Sequence, residues 1–170
     1  MGWQRTWVRI LTTVLTVAVM ILIFFFSMET ADRSDQTSGK ISMEVIRITV
    51  PEYHRKPPAE RHSIYDKVQH IVRKAAHFTE YTILGLMLRF CLESWFGHRK
   101  RKWMLPLFSW TLGTLYAGTD ELHQLLSDGR SGQWTDVALD SCGVLTGAII
   151  ATLILILICR HIKDARGKEA

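Results

Sequence analysis

Two stretches without a single charge govern what this chain can become. Ile10–Met28 and Ser141–Cys159 each run 19 residues with no Asp, Glu, Lys or Arg. At 1.5 Å rise a helix of that length extends about 28 Å, close to the roughly 30 Å hydrocarbon core of a bilayer. A chain with both is expected to be an integral membrane protein. The whole-chain mean hydropathy of +0.09 hides this, because the apolar residues come in blocks.

Two weaker apolar segments lie between the strong ones, so four spans are expected: about Trp7–Met28, Ala75–Phe96, Trp103–Leu122 and Val137–Cys159. Pro106 falls in the first turn or two of the third, where a proline is best tolerated. The fold class is therefore all-α, a polytopic membrane helical bundle. The 170 residues divide into an N-terminal anchor helix (1–28), an extracytoplasmic loop with a short amphipathic helix (29–74), a three-helix membrane core (75–160) and a cytoplasmic tail (161–170). The first span reads as a retained anchor, since it exceeds the usual 7–15-residue signal core and no clear A-x-A site follows it.

Orientation follows from the basic residues at the span ends. Arg5 and Arg9 precede the first span, Arg99–Lys102 separate the second from the third, and Arg160, Lys163, Arg166 and Lys168 follow the fourth. With four spans these all lie on one side, which puts both termini in the cytoplasm. Nucleic-acid binding is not expected, because topology accounts for the basic residues. Arg89 and Glu93 are four apart on one helix face and can pair, with Arg89 long enough to snorkel to the inner interface. Trp103 and Trp134 fit interfacial anchors at opposite ends. Cys91, Cys142 and Cys159 sit in apolar segments and read as small buried residues rather than a disulfide framework.

In the outer loop, Glu29–Lys40 is polar and reads as flexible, and Ile41–Val50 reads as a short strand or extended segment. PEYHRKPPAER reads as an irregular linker. From Ser63, Ile64, Tyr65, Val68, Ile71 and Val72 recur at helical spacing and run into the second span.

The ionisable residues of the spans then meet at one end. Lys74, His77, Glu80 and Tyr81 open the second span; Tyr116, Asp120, Glu121, His123 and Gln124 close the third; Asp128 and Arg130 fall in the short loop; Asp136 and Asp140 open the fourth. Lys74, His77 and Tyr81 share one helix face, as do Tyr116, Asp120, His123 and Gln124. Asp136 and Asp140 continue in phase through Gly143 and Gly147, a small-xxx-small pattern that lets another helix approach closely. The fourth-span acids should therefore face the bundle. An intramembrane acid costs about 2.5–3.5 kcal/mol at the bilayer centre, so such groups either tie helices together or form a site. Glu80, Glu121 and Asp128 also fit solvated helix ends.

KAAHFTEYTILG, YAGTDELHQ and GRSGQWTDVALDSCGVLTG together resemble the VanZ-like family of bacterial integral membrane proteins, over roughly Val72–Ile150. The matching positions are Lys74, His77, Tyr81, Gly85, Tyr116, Asp120, Glu121, His123, Gln124, Arg130, Asp136, Asp140, Gly143 and Gly147. The first span and the long loop lie outside this pattern. The resemblance implies a multi-pass protein of the bacterial cytoplasmic membrane and a link to teicoplanin-type glycopeptide resistance; it supplies no reaction.

The function expected is binding of an envelope ligand in an outward-facing polar pocket: a lipid headgroup, a lipid-linked cell-wall precursor or a glycopeptide. Lys74 and Arg130 would take phosphate or carboxylate, and the acids and histidines would take amines and hydroxyls. The alternative is an intramembrane hydrolase or transferase acting on a lipid-linked substrate, using a His–Asp base or a divalent metal on His77, Asp120, His123 and Asp140. No H-E-x-x-H, G-x-S-x-G or CxxC motif favours catalysis, so an enzyme and a cofactor are not expected. Four spans without an inverted repeat argue against a monomeric transporter.

Overall fold

The computed structural model describes residues 2–28, 31–97, 102–125 and 134–168. Its order is α1 (Gly2–Ser27), α2 (Ala31–Thr49), a 3₁₀ turn (Tyr53–Arg55), α3 (Pro58–Phe96), a second 3₁₀ turn (Lys102–Met104), α4 (Leu105–Leu125) and α5 (Trp134–Lys168). Among the described residues there is no strand, so the all-α class stands.

Local chemistry explains the helices. The hydroxyls of Thr13 and Thr16 donate to the carbonyls of Arg9 and Thr12 at 2.8 and 2.7 Å. Those bonds satisfy polar groups inside an otherwise apolar helix. Pro58 occupies the first turn of α3, where its missing N–H costs nothing. Extended Pro57 precedes it, and the carbonyl of Pro57 accepts the Arg61 N–H at 3.0 Å.

Residues 31–49 differ from expectation. Ile41–Val50 does not form a strand; it belongs to α2 except for Val50, and the polar stretch ahead of it is helical from Ala31. The reason is tertiary: β-branched residues accept a helix when one face is covered, and α2 lies along the first half of α3. Ile46 (1% exposed) and Ser42 (0%) are buried there, and Gly39 lies against Tyr65 so closely that a Cβ would stand 2.7 Å from its hydroxyl. The reversal between the helices uses Glu52 in the left-handed region (φ 56°), with its carboxylate taking Arg55 at 2.7 Å. The expected amphipathic helix and second span are one continuous helix, α3.

The remaining helices pack in alternating directions. Arg9 Nε of α1 donates to the Ser94 carbonyl at 3.0 Å, and Thr13 Oγ1 lies 3.6 Å from Cys91 Sγ, so α1 and α3 run antiparallel. Tyr116 Oη of α4 donates to the Met20 carbonyl at 2.7 Å, and His123 stacks 5.1 Å from Phe24, so α4 runs parallel to α1. α5 runs parallel to α3: Lys74 meets Asp136 near one end and Arg89 meets Thr152 near the other. The up–down order expected of four spans is present as packing.

The tightest packing is between α3 and α5. A Cβ on Gly85 would collide with the Val144 carbonyl, one on Gly147 with the Thr82 carbonyl, and one on Gly143 would lie 2.7 Å from the Phe78 carbonyl. Across the bundle, a Cβ on Gly113 of α4 would meet Val144 Cγ1 at 2.5 Å. Val144, fully buried, is thus wedged between two glycines, with Tyr81, Leu84 and Ala117 beside it. The in-phase glycines Gly143 and Gly147 do turn α5 toward a neighbour, as their spacing indicates.

Gly147→Leu should therefore force α3 and α5 apart and cost about 1–3 kcal/mol or more through overpacking. Gly118 has nothing within 4 Å of a built Cβ, so Gly118→Ala should be neutral or stabilise by about 0.5 kcal/mol through helix propensity. Thermal unfolding of the detergent-solubilised variants separates the two.

Candidate functional site

The glycine contacts place Tyr81 and Asp140 at the same level of the bundle. Gly143 lies one turn below Asp140, and its backbone meets α3 at Phe78 and Tyr81. From α4, Asp120 reaches the same level: Tyr81 Oη donates to Asp120 Oδ2 at 3.2 Å, and both residues are buried. The rings of Tyr81 and Tyr116 lie 6.3 Å apart. One turn above, Lys74 Nζ stands 3.3 Å from Asp136 Oδ1. That distance suits ion pairing, although Oδ1 lacks hydrogen-bond alignment. Both side chains of this pair are over a third exposed, so it holds α3 to α5 weakly.

Asp120 (4% exposed), Asp140 (4%) and Glu121 (9%) are buried. Glu80, Asp120, Glu121 and Asp136 all lie within electrostatic reach of Asp140. Asp140 Oδ1 is buried and has no hydrogen-bond partner among the described residues. A buried polar atom normally finds a partner, and a carboxylate is acceptor-only when ionised. The arrangement suits a donor: an amine, a hydroxyl or a cation.

Most predicted site residues converge, but with unequal roles. Lys74, Tyr81, Asp120, Glu121, Asp136 and Asp140 form the cluster. Tyr116 contributes its ring while its hydroxyl is committed to the α1 backbone. His123 lies on the α1 side, stacked on Phe24, and His77 is half-buried on α3. Arg130, Asp128 and the side chain of Gln124 lie outside the described residues. Among those described, no three His, Cys, Asp or Glu side chains are grouped to hold a metal ion.

Three readings need correction. Glu121 is not a solvated helix end but buried. Glu80 is only partly exposed and lies near Asp120; its position three residues after His77 was the available signal. Cys142 and Cys159 are exposed on the outside of the bundle rather than buried, and all three cysteines are free. Sequence reasoning also missed Ser141, whose hydroxyl accepts Trp110 Nε1 at 2.9 Å and lies 2.9 Å from Thr114 Oγ1, tying α4 to α5 just below the acids. Nothing in its immediate sequence marks it.

Two helices, Thr6–Ser27 and Trp134–Ala165, are long and apolar enough to cross a membrane, and only 17% and 28% of their most apolar windows are buried. A core helix of a soluble protein would be covered; these present apolar side chains outward, as lipid-facing helices do. The molecule is thus of the helical membrane class. More specifically, the chain belongs to the VanZ/LLP1 family, whose model matches residues 12–156. The match begins within α1, so the first helix and the α2–α3 hairpin are part of the family region and not additions to it. No curated protein and no solved structure matches the chain.

Tyr81→Phe should remove a buried hydrogen bond to a carboxylate and cost about 1.5–3 kcal/mol. Lys74→Met should cost under about 1 kcal/mol, because its pair is partly exposed. Denaturant titration of the two variants in one detergent tests the ranking.

Proposed function

We propose that the acid-rich end of the bundle faces the outside of a bacterial cytoplasmic membrane and binds an envelope ligand through its amine or hydroxyl groups. The observation that carries this is the buried Asp140 Oδ1, which has no hydrogen-bond partner among the described residues and lies amid four further carboxylates. Such a concentration of negative charge is costly unless cations or donors meet it, and among the described residues Lys74 pairs with Asp136. A lipid-linked cell-wall precursor or a glycopeptide antibiotic offers amines and hydroxyls together. Teicoplanin-type resistance is the cellular role in keeping with the family.

The reading includes four membrane crossings with both termini in the cytoplasm. α4 is 21 residues long, about 32 Å, and its exposed face carries Phe108, Leu112, Leu115 and Leu122 at helical spacing. Its acids, Asp120 and Glu121, point into the bundle. α3 is nearly twice the bilayer thickness, about 58 Å over 39 residues. Its first half, with α2 against it, then stands outside the membrane beside the acid cluster. The basic ends of α1 and α5 fall at the opposite, cytoplasmic side, in line with the positive-inside rule.

Native mass spectrometry of the protein in mild detergent, titrated with a lipid-linked cell-wall precursor and separately with teicoplanin, tests the binding. Retention of one of them, lost about tenfold or more in Asp140→Asn while the fold is kept, is the expected result. Unchanged retention in Asp120→Asn, Asp140→Asn and His77→Ala would leave the cluster a structural tie only. Single cysteines introduced at Glu60 and Asp164 on a cysteine-free background test the topology: an impermeant thiol reagent applied to whole cells should label the first and not the second.

A further inference from the structure

The other end of the bundle holds a cavity of about 510 Å³ between α3, α4 and α5. This lies within the roughly 300–1,000 Å³ of small-molecule sites. Its walls are Pro106 of α4 with Leu155 and Ile156 of α5, and Trp103 stands at its mouth, 73% exposed. The polar floor is Arg89, which is 5% exposed. Arg89 does not snorkel outward as its length would allow. Nη1 donates to Glu93 Oε2 at 2.8 Å and Nε to Thr152 Oγ1 at 3.1 Å, so its charge is neutralised within the wall. The cavity's uncompensated charge comes from Arg160 and Lys163, both exposed and neither in an ion pair among the described residues.

An apolar slot, a tryptophan at the mouth and two free cations at the rim call for one kind of occupant. It must carry an apolar body and an anionic head. We infer that this cavity binds an anionic phospholipid, with acyl carbons against Leu155 and Ile156 and the phosphate on Arg160 and Lys163. A basic recess between helices at a membrane face is the setting in which such headgroups are held. Arginine supplies a bidentate fork for phosphate and lysine a mobile point charge. A zwitterionic lipid has the same apolar body but offers no net charge to the rim, so the site discriminates by headgroup. The inference rests on the membrane reading but not on which side this end faces, and it uses none of the acid-cluster residues.

The test uses the full-length protein in mild detergent, titrated with phosphatidylglycerol and separately with phosphatidylcholine of the same chains, and read by native mass spectrometry. Wild type should retain one phosphatidylglycerol in clear preference to phosphatidylcholine. Arg160→Gln with Lys163→Gln should weaken that retention about twenty-five-fold, at roughly fivefold for each charge. Leu155→Trp, which fills the slot without touching charge, should weaken retention of both lipids. Lys40→Gln with Lys67→Gln, the same charge loss on the distant α2–α3 hairpin, should change nothing. Equal retention of the two lipids overturns the proposal, as does an unchanged preference in the Arg160/Lys163 variant. So does an equal loss in the hairpin variant, which would reduce the effect to overall charge. Asp140→Asn should leave this lipid in place, so failure here and failure of the acid-cluster reading are read separately.

Discussion

The close approach of α3 and α5 is the constraint on which the rest of the structure depends. Gly85, Gly143 and Gly147 bring backbone against backbone, and Val144 fills the remaining space toward Gly113 of α4. In an apolar solvent the hydrophobic effect does not drive helices together, so packing must. Once these helices touch at Phe78–Gly143 and Thr82–Gly147, their register is fixed. The register then decides which polar side chains meet: Lys74 with Asp136 above the crossing and Arg89 with Thr152 below it. The acid cluster is thus a consequence of small residues three to seven positions away from it.

The polar cross-ties differ in kind along the bundle. Tyr116 on the Met20 carbonyl, Trp110 on Ser141 and Trp95 on Thr13 join neutral groups and carry no net charge. Such ties are suited to structure, because each group is satisfied and nothing remains to recruit a ligand. The acid cluster has the opposite character. Tyr81 donates its hydroxyl to Asp120, and Asp140 Oδ1 has no hydrogen-bond partner among the described residues. A set of groups maintained for helix association alone would be expected to close its own hydrogen bonds, as the Ser141 network does. That open acceptor on Asp140 is what the proposed binding role rests on.

Helix phase carried much of this into the sequence. The direction of Asp140 and Gly143 was legible because both lie on one stripe of α5, and the pairing of Arg89 with Glu93 followed from their i, i+4 spacing. The meeting of α3, α4 and α5 at one level followed from alternating spans and basic ends. What escaped was whatever depends on a neighbour. Ile41–Val50 read as a strand or an extended segment, and six of its ten residues are β-branched; burial against α3 goes with its helical form. Glu80 and Glu121 sat near expected helix ends, where solvent is the default partner. Their shielding comes from other helices, which local spacing does not register. Ser141 is a serine like many others until Trp110 and Thr114 are placed beside it.

The two ends of the bundle are complementary in charge, and this bears on how one fold holds both. Acids collect where α4 ends and α5 begins; cations collect where α5 leaves the apolar region. α5 spans both, with Asp136 and Asp140 in its first turns and Arg160 and Lys163 near its last. At the first turn that polarity suits the helix dipole, whose positive end favours Asp136. The basic end is also the one that the proposed topology puts in the cytoplasm. A single helix therefore anchors an acceptor-rich end and a cation-rich end, and the glycines at its middle hold the two in fixed relation to α3. Movement of α5 against α3 at either end would have to pass through the crossing at Gly143 and Gly147, where there is no room for even a methyl group. The geometry favours two chemically independent ends on one rigid support.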